Sequence, residues 1–124
     1  MKKILIVDDQ PQVRELVAVT LQTENYQLFL AENGQQALEL AQKERPHLIL
    51  LDIMLYGSEL DGLDVCRYLK EDPSTQAIPI ILLTASGQKN NIEAGKAAGA
   101  DDYITKPFSP LALAKKIEAM VAGN

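Results

Sequence analysis

The chain has 124 residues, of which 47% are hydrophobic, and a formal net charge of −5 at pH 7. This length fits one domain that can bury a real core, and the acidic balance argues against non-specific nucleic-acid binding. The single cysteine, Cys66, excludes an internal disulfide and a cysteine-based zinc site. Apolar runs are too short for a signal-peptide core or a membrane span, so we expect a cytoplasmic protein.

Short apolar runs alternate with amphipathic stretches along the chain, which is typical of βαβ units around a parallel sheet. Two of the runs, Leu48–Leu51 and Ile80–Leu83, are apolar without alternation, as expected of central strands that are covered on both faces. The five predicted strands are Lys3–Asp8, Tyr26–Ala31, Leu48–Asp52, Ile78–Thr84 and Asp102–Ile104.

A helix is predicted after each strand. The first begins at Asp9 or Gln10, ahead of Pro11, a residue that is favoured in the first turn of a helix. Residues that recur at helical spacing mark its buried stripe. They are Val13, Leu16, Val17 and Leu21.

The later helices have their own boundary signals. Asn33, Asp61 and Ser109 are expected to cap the second, third and fifth helices. The fourth helix, from about Asn90 to Ala98 and ending at Gly99, contains Gly95. An interior glycine costs about 1 kcal/mol relative to alanine, so we expect this helix to be the least stable.

Two isolated residues have simple interpretations. His47, the only histidine, precedes the third strand and is expected to be a surface loop residue, since a lone histidine cannot form a metal site. Cys66 lies at an inward helical position and is expected to act as a small core hydrophobe.

Four of the predicted strands end in residues that can bind phosphate or metal. Because the carboxyl ends of parallel strands share one edge of the sheet, we expect these side chains to meet in one pocket. Taken separately, Asp9 could be a helix cap, Thr84 a strand former and Lys106 a solvated charge; their common position favours a shared function. The residues are Asp8 and Asp9, then Asp52, Thr84 and Lys106.

Such a pocket has the parts that phosphoryl transfer needs. Gathered carboxylates raise one another's pKa unless a cation compensates, and Mg²⁺ suits one to three carboxylates with a substrate phosphate. A carboxylate is a recognised nucleophile, Lys106 supplies positive charge and Thr84 a hydroxyl donor.

In this order and spacing the motifs resemble, over essentially the whole chain, the receiver domain of the two-component response-regulator family. The resemblance implies a single α/β domain, doubly wound as (βα)5, with a five-stranded parallel sheet in the order 2-1-3-4-5. The matching segments are Ile-Leu-Ile-Val-Asp8-Asp9, Leu-Ile-Leu-Leu-Asp52-Ile-Met, Thr84-Ala85 after Ile-Ile-Leu-Leu, and Lys106-Pro107-Phe108 after Gly99-Ala-Asp-Asp-Tyr103.

The resemblance implies that Asp52 accepts a phosphoryl group from a phosphohistidine of a sensor histidine kinase or a histidine phosphotransfer protein. Asp9, Asp52 and the backbone carbonyl of Met54 would hold Mg²⁺ (or Mn²⁺), and Asp8 would act largely through a coordinated water. The chain would be a signalling phosphoacceptor and not an enzyme, apart from its own phosphorylation and dephosphorylation.

The resemblance also implies a switch. Thr84 and Lys106 would contact the phosphoryl oxygens, Ala85 would keep the approach open, and Tyr103 would turn inward when Thr84 shifts. Lys106-Pro107 would form a cis peptide bond. The surface of the fourth helix, fifth strand and fifth helix would then change and be read by a partner.

Residues 1–124 are accordingly interpreted as one receiver domain without an output domain in this chain. The partner that recognises the changed surface would be a downstream effector protein or a missing output domain. The chain would be a monomer or a homodimer promoted by phosphorylation. Direct binding to nucleic acid or to a membrane is not expected.

The chain departs from the family pattern after the phosphoacceptor. Tyr56 takes the place of the usual proline, and Asp61-Gly62 comes two residues late, which places an insertion within Tyr56–Leu60. The alternatives are a pseudo-receiver that binds partners without phosphorylation and a metal-dependent phosphatase. The phosphatase would need a second aspartate where Met54 stands, and a nucleotide-binding module would need a glycine-rich phosphate loop that is missing from the sequence.

Overall fold

Five short strands pair in parallel and form one sheet in the order β2-β1-β3-β4-β5, which confirms the predicted fold. The computed structural model describes residues 1–22, 25–55, 59–85 and 89–122. The strands are β1 (Lys2–Val7), β2 (Tyr26–Ala31), β3 (Leu48–Asp52), β4 (Ile80–Ala85) and β5 (Asp102–Lys106). All five residues of β3 are buried, as expected for a central strand.

A helix follows each strand, and the predicted caps of three helices are confirmed. Asn33 accepts a hydrogen bond from the backbone of Gln36, Asp61 forms a reciprocal capping box with Asp64, and the hydroxyl of Ser109 accepts from the backbone of Ala112. The helices are α1 (Pro11–Leu21), α2 (Gly34–Glu44), α3 (Gly62–Glu71), α4 (Lys89–Ala97) and α5 (Pro110–Ala122). The N-cap residue of α1 is Gln10, not Asp9.

The core consists of two hydrophobic clusters, one on each face of the sheet. Strand side chains alternate between the faces, so neighbouring residues such as Leu50 and Leu51 belong to different clusters. One cluster packs against α2 and α3 and includes Cys66, which is buried as predicted. The other packs against α1 and α5. None of the helices in the described ranges has the length and apolarity that crossing a bilayer requires.

Leu16 is a correction to the predicted core, because 45% of it is exposed. The buried residues of α1 are Val17 and Leu21, four positions apart on one stripe. Leu16 lies about 100° around the helix from Val17, which places it outside the face that packs on the sheet.

The bounds of three strands and one helix differ from the sequence prediction. Strand β1 spans Lys2–Val7 rather than Lys3–Asp8, so Asp8 follows the strand, and α4 spans Lys89–Ala97 rather than about Asn90 to Ala98. Strand β4 begins at Ile80 rather than Ile78, because the N–H of Ile78 is used in a turn, where it donates to the carbonyl of Thr75. Strand β5 continues to Lys106, which pairs in register with Ala85 of β4. Gly99, expected to end α4, has a φ of 101°, a conformation that glycine adopts readily.

The topology creates a crevice between β1 and β3. These two strands are neighbours, yet α1 packs on one face of the sheet and α3 on the other. The chain therefore leaves the two strand ends in opposite directions. In open α/β sheets this switch point is where ligands bind.

Candidate functional site

Three aspartates meet at the carboxyl ends of β1 and β3. Asp8 and Asp9 follow β1, and Asp52 is the last residue of β3, whose Leu51 pairs in register with Val7. One carboxylate oxygen from each aspartate lies within 4.8 Å of the others. Asp8 is fully buried, Asp52 is 5% exposed and Asp9 is half-buried. The three carboxylates predicted from the sequence are thus together.

Lys106 connects two of these carboxylates. Its Nζ donates to Oδ2 of Asp8 and to Oδ2 of Asp52, each at 3.0 Å. Lys106 comes from β5, so its side chain reaches across the end of β4. Two aspartates separated by 44 positions and a lysine from the far edge of the sheet therefore form one charged cluster.

Backbone groups hold the second oxygen of each carboxylate. The N–H of Gln10 donates to Oδ1 of Asp8 at 2.9 Å, and the N–H of Met54 donates to Oδ1 of Asp52 at 3.1 Å. Each carboxylate is thus held by the loop that follows its own strand and by Lys106. This arrangement fixes the orientation of both groups.

Burial and charge shift the titration of the cluster. The pKa of Asp52 is raised to about 6, first by burial and second by the neighbouring charge of Asp8, while the hydrogen bond and charge of Lys106 oppose the shift. Burial disfavours the charge on Lys106, but its hydrogen bonds with Asp52 and Asp8 outweigh this and raise the pKa of Lys106. At pH 7 Asp52 is therefore mainly ionised beside a permanent cation.

The other predicted site residues lie around this cluster. Thr84 is buried on β4, directly after Leu83, which pairs in register with Asp52. The side chain of Met54 is exposed at the beginning of the β3–α3 loop. Tyr103 is 37% exposed and lines a cavity of about 80 Å³ between α4 and β5.

The remaining predictions concern the loops and the proline. The Lys106–Pro107 peptide bond is cis, as the resemblance implied. Residues 56–58, which hold most of the predicted insertion, lie outside the described residues, as does the side chain of Ala85.

Two residues at the site were missed by the sequence analysis. Arg14 of α1 donates from Nη1 to the backbone carbonyl of Asp8 at 2.6 Å. Gly62, the first residue of α3, packs directly against the backbone of Asp52. Of these two residues, only Gly62 could have been identified from the sequence. A glycine directly after a capping aspartate is not needed for the cap, so it indicates that another backbone segment lies close to it.

The donor set fits a hard divalent cation. The cluster offers three carboxylates from Asp8, Asp9 and Asp52, and oxygen donors are the ligands that Mg²⁺ prefers. Burial and repulsion from Asp8 make ionisation of Asp52 less favourable in the metal-free protein than it is in water. A divalent cation would relieve that repulsion.

The sequence matches known proteins along most of its length. A family model described as the response regulator receiver domain matches residues 4–118. The phosphate regulon transcriptional regulatory protein PhoB of Pseudomonas aeruginosa is 48% identical over 120 residues, which are 97% of this chain and 52% of that protein. The transcriptional regulatory protein ResD of Bacillus subtilis is 44% identical over 119 residues, which are 96% of this chain and 48% of that protein. The chain thus spans about half the length of these curated relatives.

Solved structures share the fold over nearly the whole chain. A putative response regulator from Chloroflexus aurantiacus has a TM-score of 0.91 and 35% identity, with 98% of each chain covered. The receiver domain of the sensor histidine kinase PA1611 from Pseudomonas aeruginosa has a TM-score of 0.88 and 30% identity, again with 98% of each chain covered. That structure is described with a magnesium ion coordinated in its active site cleft.

Proposed function

The chain belongs to the response regulator receiver family of two-component signalling, and on this basis we propose that it is a switch controlled by phosphorylation of Asp52. The observation that carries the proposal is the contact of Lys106 with both Asp8 and Asp52 at 3.0 Å. Asp8 is fully enclosed, whereas Asp52 retains some exposure. Asp52 is therefore the more accessible of the two carboxylates for a phosphoryl donor.

The proposed reaction is transfer from a phosphohistidine. A carboxylate oxygen of Asp52 attacks phosphorus and the phosphorus–nitrogen bond breaks. The imidazole, which carries a proton on its other ring nitrogen, takes the bonding electron pair and leaves as a neutral ring. Lys106 stays charged because its pKa is raised, so it can stabilise the phosphoryl oxygens throughout. Thr84, buried on the neighbouring strand, supplies a hydroxyl donor for the same group.

The same carboxylates would hold the metal ion. Asp8, Asp9 and Asp52, with the backbone carbonyl of Met54, are the proposed ligands of Mg²⁺ or of Mn²⁺, an ion of similar ligand preference. When bound, the ion supplies positive charge that offsets the repulsion between the carboxylates and the incoming phosphoryl group. Arg14 would help to position Asp8, because its guanidinium donates a hydrogen bond to the backbone carbonyl of Asp8.

Phosphorylation would be passed on through β4 and β5. A phosphoryl group adds close to two negative charges, and Thr84 would move toward it. Tyr103 would then turn inward, and the cavity of about 80 Å³ beside it, lined by Leu82 and Gly95, supports such a movement. The surface formed by α4, β5 and α5 would change and be read by a partner.

The proposed partners follow from this chemistry. The phosphoryl donor would be a sensor histidine kinase or a histidine phosphotransfer protein. The partner that binds the changed surface would be an effector protein or an output domain. Residues 1–124 would act as one receiver domain in the cytoplasm, as a monomer or a homodimer promoted by phosphorylation. The names of the relatives support a role in transcriptional regulation, without direct nucleic-acid binding by these 124 residues.

Intact-mass spectrometry after incubation with acetyl phosphate and Mg²⁺ tests the proposal. The unmodified chain should gain one phosphoryl group, and Asp52→Asn or added EDTA should prevent the gain. Asp72→Asn is a matched control, because Asp72 is half-buried directly after the last residue of α3 and an asparagine can keep its hydrogen bond with Ser74. Phosphorylation that persists in Asp52→Asn would refute the assignment, and a folded chain that gains no group would favour a pseudo-receiver.

A test with a generic phosphomonoester separates the receiver from a phosphatase. A receiver should show little turnover beyond its own modification, because Asp52 keeps its phosphoryl group and cannot react again until that group is hydrolysed. Steady release of many equivalents of phosphate by the unmodified chain would favour the phosphatase.

A further inference from the structure

We propose that Gly62 is a positioning residue for Asp52, a role that rests on the proposed function. Gly62 begins α3 and lies directly against the peptide that links Asp52 to Ile53. A Cβ atom placed on Gly62 would overlap the carbonyl oxygen of Asp52 and lie 2.6 Å from Cα of Ile53. Real Cβ atoms essentially never approach other atoms closer than 3.0 Å. Any side chain at Gly62 would therefore displace this peptide.

A hydrogen bond joins the same two segments. The N–H of Gly62 donates to the carbonyl of Ile53 at 2.8 Å. The first turn of α3 is thus both bonded to and packed on the turn that follows the phosphoacceptor. A displacement of α3 at this point must be transmitted to the backbone of Asp52.

The requirement for glycine at this position is steric. Among the described residues Gly99 has a positive φ and Gly62 does not, so Gly62 does not need the conformational freedom of glycine. Capping does not require it either, because Asp61 already forms the capping box with Asp64. What remains is the close approach to the backbone of Asp52.

The side chain of Asp52 has little freedom to compensate for such a displacement. Its two oxygens are held at 3.0 Å by Lys106 and at 3.1 Å by the N–H of Met54. Movement of the backbone would lengthen one or both of these bonds and turn the nucleophile. A misplacement of about 1 Å can reduce a rate about 100-fold.

Gly34 provides a matched control on the neighbouring helix. It is also buried, begins α2, and follows a capping residue, Asn33. A Cβ atom placed on Gly34 would lie 2.8 Å from Cβ of Leu60 and 2.9 Å from Cγ2 of Val65. Its neighbours are thus core side chains and the backbone of Leu60 rather than the phosphoacceptor. Gly34→Ala should therefore disturb core packing without pressing on the peptide that follows Asp52.

The experiment compares Gly62→Ala and Gly34→Ala in the full chain. Urea unfolding gives stability, and intact-mass spectrometry gives the rate of phosphorylation by acetyl phosphate at saturating Mg²⁺. Both variants should lose stability, whereas the phosphorylation rate should fall about 100-fold in Gly62→Ala and stay within about twofold in Gly34→Ala. Carbon-13 NMR of the Asp52 carboxyl group in metal-free protein should show a displaced signal in Gly62→Ala alone.

The outcomes distinguish the two proposals. Gly62→Ala with the rate and the Asp52 signal of the unmodified chain would overturn the positioning role. If the unmodified chain takes up no phosphoryl group while the Asp52 signal still moves in Gly62→Ala alone, the proposed function fails and the positional coupling is supported.

The positioning role can also be tested if the Gly62→Ala variant fails to fold. If Gly62→Ala unfolds in buffer, both variants are refolded with trimethylamine N-oxide, which favours compact states, and the NMR comparison is repeated there. A Gly62→Ala chain that stays unfolded where Gly34→Ala folds would identify Gly62 as a folding residue and overturn the proposal.

Discussion

The ammonium of Lys70 on α3 donates a hydrogen bond to Oδ2 of Asp101 at 2.9 Å, just before β5. The same ammonium donates to the carbonyls of Gln76 and Ile78, at 3.2 and 2.8 Å. Asp101 in turn accepts from the N–H of Ile80, the first residue of β4. This ion pair therefore connects the end of α3 with the beginnings of two strands.

Lys70→Met should lower the free energy of unfolding by about 2 kcal/mol, because three hydrogen bonds of a charged donor are lost while the aliphatic stem is kept. Urea unfolding at neutral pH measures the change. Lys115→Met on α5 is the control, because Lys115 is exposed. Equal stabilities of the two variants would contradict the structural role of Lys70.

Lys106→Met should raise the pKa of Asp52 above its value of about 6, because the hydrogen bond and charge that oppose the shift are removed. It should also destabilise the metal-free chain by about 3 kcal/mol at pH 7, since two buried carboxylates lose their cation. Carbon-13 NMR titration and urea unfolding measure the two effects. Lys116→Met, which removes a surface pair with Asp102, should leave the titration of Asp52 unchanged.

Stability of the metal-free chain should depend on pH through Asp52. The pKa of its carboxyl is about 6 in the folded chain, against an ordinary value of 3.8, so the folded state binds the proton more tightly. The contribution of Asp52 to stability therefore falls as pH rises from about 4 to about 6 and then levels off. Thermal unfolding in EDTA should show this decline relative to Asp52→Asn. Parallel pH profiles for the two proteins would contradict the raised pKa.

Gly95→Ala should have opposite effects in two backgrounds. A Cβ atom on Gly95 would overlap Cδ1 of Leu82, so the change should destabilise the unmodified chain by about 1 kcal/mol, even though alanine favours helices. In Leu82→Ala the overlap is absent, and the same change should stabilise by about 1 kcal/mol. A double-mutant cycle in urea measures the coupling. The same sign in both backgrounds would show that α4 does not rest on Leu82.

The main features of the site were accessible from the sequence because strand period and parallel pairing determine where strand ends meet. In β1, β3 and β5 the alternation Ile4-Ile6-Asp8, Leu48-Leu50-Asp52 and Ile104-Lys106 places the polar residue on the same face as the second core cluster. The contact between Lys106 and the two aspartates follows from this alternation and the strand order.

Features that depend on close approach between segments could not be predicted. His47 was expected to be a surface loop residue, yet its Nδ1 accepts from the N–H of Lys3 at 3.0 Å, in the role usually filled by a backbone carbonyl. Burial, aided by nearby lysines, lowers the pKa of His47 accordingly. Arg14 is a similar case, because its partner is a backbone carbonyl that leaves no trace in a pattern of side chains.

The charged cluster is formed by the last residues of two strands, Asp52 and Lys106, and by Asp8, which directly follows β1. The outward faces of the five helices contribute none of these three groups. Helix surface residues could therefore be exchanged between relatives while these three side chains keep their positions. The same separation would let descendants of one ancestral gene diverge in their signalling connections without reinventing their chemistry.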